Sequence, residues 1–302
     1  MKLTRVNDLV TYVEPGSMAG FSACSGMIVR SRKTLLVDMN LDRDQIQGFL
    51  EKENPHACFI THYHLDHSVW LRTASNLPQA NIFVPEAEAR FLGSLSTVME
   101  ETARPLGRDR GAKWENFVVN TLGFAPLEGH LTFDSFFSFK ELAPEMVVLH
   151  TPGHSPGHTS FYFPDHGILF SGDLGLDRFG PWYGWPNCDI LELAASILRL
   201  DGMDIRLILT SHGGMITTHP HGALKKSILM ILERENKIRD LLETGVSKKT
   251  IIEKGVFFSN KDKVAQPMKT FLDMWDQVMF QHHESLLLQG GLLSFFPEIS
   301  NP

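Results

Sequence analysis

The stretch that decides the fold is Thr61-His62-Tyr63-His64-Leu65-Asp66-His67, which directly follows an apolar extended run. It places three imidazoles and one carboxylate within six consecutive positions. In an extended backbone His62 and His64 project to the same side, whereas Asp66 and His67 fall where the chain begins to coil. A purely structural role would bury several ionisable groups without compensation, which is costly. The stretch therefore predicts ligands for metal ions.

Three later segments carry further candidate ligands, each one to four residues beyond a predicted strand. They contain His154 within 151–158, Asp173 within 171–175 and His212 within 210–214. Loops at one end of neighbouring strands converge in space, so distant parts of the sequence can assemble one site. Catalytic zinc takes about three protein ligands and keeps a position for water. We therefore expect these residues to complete the ligand set.

With these residues the sequence resembles the metallo-β-lactamase superfamily, over roughly residues 1 to 220. The motif His62-x-His64-x-Asp66-His67 matches the first motif of the family, and the three later residues match its other ligands in order. The resemblance implies an α/β fold, the αββα metallo-β-lactamase sandwich. It also implies a ligand partition: the first ion bound by His62, His64 and His154, the second by Asp66, His67 and His212, and both bridged by Asp173.

The resemblance implies a metal-dependent hydrolase in which a hydroxide shared by two divalent metal ions attacks an ester, thioester or lactone carbonyl. Zinc lowers the pKa of bound water from about 15.7 to about 7, so the reaction needs no serine or cysteine nucleophile. Asp66 is the candidate catalytic residue, since it could orient the hydroxide and pass a proton. By motif the sequence is similar to glyoxalase-II-type thioesterases and to lactonases, and the substrate is expected to be a small molecule.

Three other functions stay open at this point. One is an iron-dependent sulfur dioxygenase acting on a persulfide, because histidine and aspartate ligands suit iron and manganese as well as zinc. The complete second ligand set favours two ions, and we expect zinc. Another is a phosphodiesterase or nuclease, and the third is a non-enzymatic protein in which the metal site only stabilises the fold.

The composition limits the kinds of partner that are expected. The 302 residues carry a net charge of -7 and no cluster of Lys and Arg, which argues against a nucleic-acid surface. No apolar run approaches the ~18 residues needed to cross a bilayer, so no membrane partner is expected. The cysteines are few and widely spaced, as is typical of reduced thiols, and we predict a cytoplasmic protein.

The apolar pattern predicts alternating strands and helices up to about residue 219 and helices alone beyond it. Strands are expected at Met27–Val29, Thr34–Val37, Ala57–Thr61, Met146–His150, Ser160–Phe163, Ile168–Ser171 and Leu207–Thr210, and helices at Arg43–Lys52, His67–Ala74, Pro85–Thr102 and Asp189–Leu200. We assign 1–219 to the catalytic domain and 220–302 to a helical C-terminal appendage, which could mediate a homodimer. Residues 103–139 show no sustained period and are interpreted as an insertion over a pocket.

Several residues near the motifs are given supporting roles. His158 is expected to donate or accept a supporting hydrogen bond, and Asp38 is expected to orient a metal-bound histidine. The aromatic segment 181–186 either walls the site or packs in the core. Four other histidines are predicted to be exposed, namely His219, His221, His282 and His283.

Overall fold

The computed structural model describes residues 1–15, 23–41, 45–71, 81–104, 107–258 and 261–300. In these ranges two β-sheets lie face to face, and helices cover both outer faces. This is the αββα sandwich that the sequence predicts, and helices follow it at the C-terminus.

The first sheet contains, within the described ranges, seven strands in sequential order. They are β1 (Lys2–Arg5), β2 (Val10–Glu14), β3 (Gly26–Arg30), β4 (Thr34–Val37), β5 (Ala57–Phe59), β6 (Asn81–Pro85) and β7 (Leu131–Phe133). The pairs from β4 to β7 are parallel, and the pairs before them are antiparallel. The carboxyl ends of β4, β5 and β6 therefore lie at the same edge of the sheet.

The second sheet has five strands in the described part of the chain, in the order β12-β11-β10-β9-β8. They are β8 (Val147–His150), β9 (Thr159–Phe163), β10 (Ile168–Phe170), β11 (Leu207–Leu209) and β12 (Met215–Ile216). Because β8 and β10 are both antiparallel to β9, and β11 is parallel to β10, these three strands run in one direction. The loops that follow them leave the sheet at the same edge.

The core between the sheets is built by alternating side chains. In β9, Phe161 and Phe163 face the first sheet, whereas Tyr162 between them faces the outer helices. The rings of Phe59 in β5 and Phe161 lie 6.1 Å apart across the two sheets. Phe133 and other phenylalanines of the 103–139 insertion join this core, so packing is one use of its aromatic residues.

The helices cover the outer faces and form the C-terminal appendage. They are α1 (Ile46–Glu53), α2 (Leu65–Ser68), α3 (Ala89–Leu92), α4 (Leu95–Thr102), α5 (Arg108–Asn116), α6 (Ile190–Asp201), α7 (Pro220–Glu243), α8 (Lys248–Lys254) and α9 (Met268–Leu288). A π-helical turn at Phe117–Thr121 continues α5, and short 3-10 helices lie at Glu86–Glu88, Pro164–His166, Lys261–Lys263, Leu292–Ser294 and Pro297–Ser300. In the residues that the structure describes, no helix is both long and apolar enough to cross a bilayer.

Local sequence explains where the main outer helix begins. The side chain of Asp189 accepts hydrogen bonds from the backbone N–H groups of Leu191 and Glu192, at 2.8 and 3.0 Å, and so caps α6. The apolar residues of α6 then recur at helical spacing and pack on the second sheet, through Ile190, Leu193, Ala194, Ile197 and Leu200.

Two helix predictions are wrong in extent. The segment Pro85–Thr102 is not one helix, because Pro85 ends β6 and Gly93 with Ser94 separates α3 from α4; the Ser94 hydroxyl caps α4. The helix expected at His67–Ala74 is the shorter α2, and residues 72–74 lie outside the described residues. The predicted helix at 43–52 corresponds to α1, with residues 43 and 44 also outside that description.

The appendage is tied to the sandwich by side chains of α7 and α9. The Tyr183 hydroxyl donates to His283 Nε2 at 2.7 Å, and His282 Nε2 donates to the carbonyl oxygen of Trp185 at 2.9 Å. Arg234 donates to the carbonyl oxygens of Phe179 and Pro181. The expectation that His282 and His283 are exposed is wrong: His283 is fully buried and His282 half-buried, because helix α9 turns this face toward the sandwich. The domain boundary at 219/220 stays a prediction.

We expect buried His283 to make the folded chain less stable in acid. Burial lowers the pKa of His283 to about 3, from its ordinary 6.5, with Arg234 and His282 acting in the same direction. Between about pH 6.5 and about pH 3 the unfolded chain therefore binds a proton that the folded chain does not. As the pH is lowered through this range, His283 decreases the free energy of unfolding by ~1.4 kcal/mol per pH unit. The amide oxygen of Gln in His283→Gln can still accept from Tyr183, but it does not titrate. The free energy of unfolding of this variant should therefore change less steeply with pH, by the amount that one proton contributes. Equal slopes for both proteins in denaturant titrations at several pH values would contradict this.

Candidate metal centre

The first group of ligand atoms comes from two loops that meet at the sheet edges. His62 and His64 lie in the extended segment after β5, and His154 lies in the loop after β8. Nε2 of His154 is 3.1 Å from His62 Nε2 and 2.9 Å from His64 Nδ1. Burial and the neighbouring imidazoles lower the pKa of His62, and burial lowers those of His64 and His154. Three neutral rings thus turn lone pairs toward one point, which suits a metal cation.

The second group lies beside the first and includes both carboxylates. Asp66 and His67 lie on the first turn of α2, while Asp173 and His212 follow β10 and β11. His212 Nε2 is 2.9 Å from Asp66 Oδ2, and His67 Nε2 is 3.6 Å from the same oxygen. The structure thus brings all seven predicted ligands together in two groups that could each hold a metal ion.

Asp173 lies between the two groups. Its Oδ2 atom is 3.4 Å from Nε2 of His67 and of His212 in the second group, and 3.6 Å from His154 Nε2 in the first. Burial alone would raise the pKa of Asp173, but His212 and His67 hold it well below its usual value. The carboxylate is therefore ionised and close enough to both groups to be shared.

A further observation indicates that these side chains suit a metal ion. His67 Nε2 and Asp173 Oδ1 are buried, yet neither has a hydrogen-bond partner among the residues that the structure describes. An unsatisfied buried polar atom is costly, and both of these residues belong to the second ligand group, where a bound cation would offset that cost.

Asp38 holds the first motif in place, as the sequence predicts. It follows β4 in the left-handed region, with φ of 51°, and is fully buried. Its Oδ1 accepts from the backbone N–H of Thr61 at 2.8 Å, and its Oδ2 accepts from Nδ1 of His67 at 2.9 Å. With Nδ1 thus engaged, Nε2 of His67 is left to face the carboxylates of Asp66 and Asp173. Asp38 therefore orients a candidate ligand without being one.

His158 supports the centre through the backbone of Asp173. Its Nε2 accepts from the Asp173 N–H at 2.9 Å, so its Nδ1 carries the proton and donates to the carbonyl oxygen of Thr151, also at 2.9 Å. Burial lowers the pKa of His158 to about 3, which keeps this neutral form. A Cβ on Gly172, where φ is 61°, would come 2.4 Å from His158 Nε2, so the approach requires glycine. The predicted supporting hydrogen bond is confirmed.

Glu88 is a residue near the centre that sequence reasoning missed. It is fully buried, and its carboxylate accepts from the Tyr63 N–H at 2.7 Å, the Ser155 hydroxyl at 2.7 Å and the Gly157 N–H at 2.6 Å. Burial raises its pKa to about 7, against the effect of these hydrogen bonds. Glu88 thus joins the loop of His62 and His64 to the loop of His154. The signal in the sequence was its place just after β6, at the edge where the motif after β5 lies.

The remaining histidines and cysteines lie outside the two groups. His219 is exposed, as predicted, whereas His221 is half-buried and pairs with Asp201 at 3.0 Å. Cys24 lies near Asp38 and His67, but burial raises the pKa of its thiol and Asp38 is already engaged. All three cysteines are free and buried.

The aromatic segment 181–186 serves both of the predicted purposes. The carbonyl oxygen of Trp182 accepts from His154 Nδ1 at 2.9 Å, and its ring lies 5.4 Å from that of His64. Tyr183 and Trp185 are buried in the core instead. Since Arg234, His282 and His283 bind this segment, the appendage indirectly supports the orientation of His154.

The comparisons with known proteins agree on one family. Residues 20–212 match the family model described as the metallo-beta-lactamase superfamily. The chain is 30% identical over 188 residues to a probable metallo-hydrolase, YybB, of Bacillus subtilis, covering 59% of this chain and 74% of that protein. It is also 30% identical over 124 residues to the hydroxyacylglutathione hydrolase of Bartonella quintana, covering 40% of this chain. This match spans only 36% of the length of that relative.

Two solved structures show the similarity of the fold. The metallo-beta-lactamase family protein TTHA1429 from Thermus thermophilus has a TM-score of 0.71 at 19% identity, covering 95% of each chain. TTHA1623 in a di-iron-bound form has a TM-score of 0.52 at 21% identity, covering 71% of this chain and 98% of that one. The first match extends over the C-terminal helices as well as the sandwich.

Proposed function

Because this chain belongs to the metallo-β-lactamase superfamily, we propose that it is a hydrolase that cleaves an ester, thioester or lactone at a centre of two metal ions. The observation that carries the proposal is the position of Asp173 Oδ2, 3.4 to 3.6 Å from ring nitrogens of both ligand groups. His62, His64 and His154 would hold the first ion, and Asp66, His67 and His212 the second. Asp173 would be shared.

A bound pair of divalent ions would supply the chemistry that the side chains lack, since such ions lower the pKa of water and polarise a carbonyl. The protein positions the reactants around them. Asp66 is the candidate catalytic residue, because its carboxylate is 19% exposed and lies 2.9 Å from His212 Nε2 at the mouth of the centre. It would orient the attacking water and take up its proton. Buried Asp38, His158 and Glu88 would keep the ligands in place.

Zinc is the favoured metal, because histidine nitrogens with carboxylates suit it and because hydrolysis needs no redox change. The di-iron form of TTHA1623 supports iron as the alternative. The similarity to hydroxyacylglutathione hydrolases supports a thioester as one candidate substrate, although the chain spans less than half the length of those relatives. A cytoplasmic location, a small-molecule substrate and a homodimer formed through the appendage stay proposals.

We expect purified protein to contain about two metal ions per chain by mass spectrometry and to hydrolyse at least one class among esters, thioesters and lactones. A chelator should remove both metal and activity, and added zinc should restore them, because no other nucleophile is proposed. One iron per chain with oxygen consumption on a persulfide would overturn the proposal in favour of a dioxygenase. Cleavage of a phosphodiester alone would overturn it in favour of a nuclease.

A further inference from the structure

A cavity of about 960 Å³ opens beside the metal centre. Its lining includes His64, Asp66, His154, Asp173 and His212, so a molecule in the cavity meets both ligand groups. Ligand sites in proteins typically measure about 300–1,000 Å³, which places this cavity among the large ones. It therefore has room for a substrate much larger than the reacting carbonyl group.

The wall next to the first ligand group is aromatic. Trp182 lies against the rings of His64 and His154, at 5.4 and 5.5 Å, and its ring is 5.6 Å from that of Trp275. Trp114 continues the wall from the 103–139 insertion, 5.2 Å from the ring of Trp185. The cavity thus leads from the metal centre along these tryptophan side chains.

The far wall comes from the appendage and is apolar. Met230 of α7, Met268 and Leu272 of α9, and Phe257 and Phe258 between them line the cavity. Apart from the metal-centre residues, the charged side chains among its described lining residues are Asp177, Arg178 and Lys226. Arg178 and Lys226 are exposed, and Asp177 accepts hydrogen bonds from the N–H groups of its own loop. Beyond the metal-centre residues, the described lining therefore offers few charged partners to a polar group.

We propose that this cavity holds a medium- or long-chain apolar acyl group of the substrate, so that the enzyme prefers such esters or thioesters to acetyl ones. The preference among substrates rests on the proposed hydrolase function, whereas the binding of an apolar chain rests on the cavity alone. Burying one methylene contributes a factor of about four to affinity. A polar acyl group would lose hydrogen bonds to water and regain few of them from this mainly apolar lining.

Activity provides the first test. With one leaving group, kcat/KM should rise by about threefold to fourfold per methylene from acetyl to decanoyl until the cavity is full. Met268→Trp, which fills part of the apolar wall at a half-buried position, should lower the decanoyl-to-acetyl ratio of kcat/KM at least about tenfold. Leu288→Trp on the exposed face of the same helix is the matched control and should leave the ratio unchanged. A ratio that is flat or falls with chain length would overturn the proposal while hydrolysis itself stands.

Direct binding separates the cavity from the reaction. Four of the five tryptophans line the cavity, so their fluorescence should change when decanamide, a neutral non-hydrolysable chain, is titrated into the protein, and acetamide should have no effect. Saturable binding of decanamide that Met268→Trp weakens and Leu288→Trp does not would support the cavity even if no ester were hydrolysed. Absence of decanamide binding to folded wild-type protein would overturn the inference.

Discussion

Asp173→Ala is expected to lower hydrolysis by at least about a hundredfold and to reduce the metal content below that of the wild type. Residues that merely orient a metal ligand contribute about ten- to hundredfold, and a carboxylate shared by two ions should contribute more. The side chain lies 3.4 to 3.6 Å from ring nitrogens of both groups, so its loss removes negative charge from both at once. Metal content by mass spectrometry and kcat/KM on the best substrate measure the two effects.

Two further variants make this test specific. Asp173→Asn keeps the volume but removes the charge, and it should retain more metal than the alanine variant while losing most activity. Asp165→Ala changes an exposed aspartate in the 3-10 helix between β9 and β10, and it should behave as the wild type. The fold of Asp173→Ala should persist, since His158 binds the backbone N–H of residue 173 rather than its side chain. Full metal content with undiminished hydrolysis in Asp173→Ala would exclude a bridging role.

The sandwich and the grouping of the candidate ligands could be predicted because both depend on local pattern. Alternating apolar residues specify strands such as β9, and His62, His154, Asp173 and His212 each lie three or four residues beyond a strand end. The parallel directions of β8, β10 and β11 then bring the last three of these residues to one edge. The ligand partition itself came from the resemblance to the family, and the ligand roles stay predictions.

The contacts that support the site could not be predicted, because they join residues far apart in the sequence. Glu88 reaches Ser155 and Gly157 across 67 and 69 positions, and Tyr183 reaches His283 across 100. The spacing of apolar residues along the sequence gives no information about such a pairing. The apolar pattern of α9 gave a helix but not which face of it would meet the sandwich, and the predicted exposure of His282 and His283 was therefore wrong.

Glu88→Ala is expected to reduce metal affinity by about ten- to hundredfold and to destabilise the fold, although Glu88 is not a predicted ligand. The substitution leaves the Tyr63 N–H, the Gly157 N–H and the Ser155 hydroxyl without their acceptor. Each unsatisfied buried donor costs about 1–3 kcal/mol, so the loss should amount to several kcal/mol in thermal or denaturant unfolding. Because these donors flank His62, His64 and His154, the first metal ion should be lost before the second.

The variant Glu88→Gln shows whether Glu88 positions the two ligand loops or only fills space between them. The glutamine has nearly the same volume, but one carboxylate oxygen becomes an NH2 group, which cannot accept from the backbone N–H that faces it. If Glu88 positions the two loops, Glu88→Gln should also weaken metal binding, whereas Glu86→Gln, an exposed change in the same 3-10 turn, should not. If Glu88 only fills space, the glutamine variant should bind metal like the wild type, and the alanine variant should lose stability without a change in metal affinity at low temperature. Metal titrations of the folded variants decide between these outcomes, because the two roles differ in the affinity of the first ligand group and not in stability.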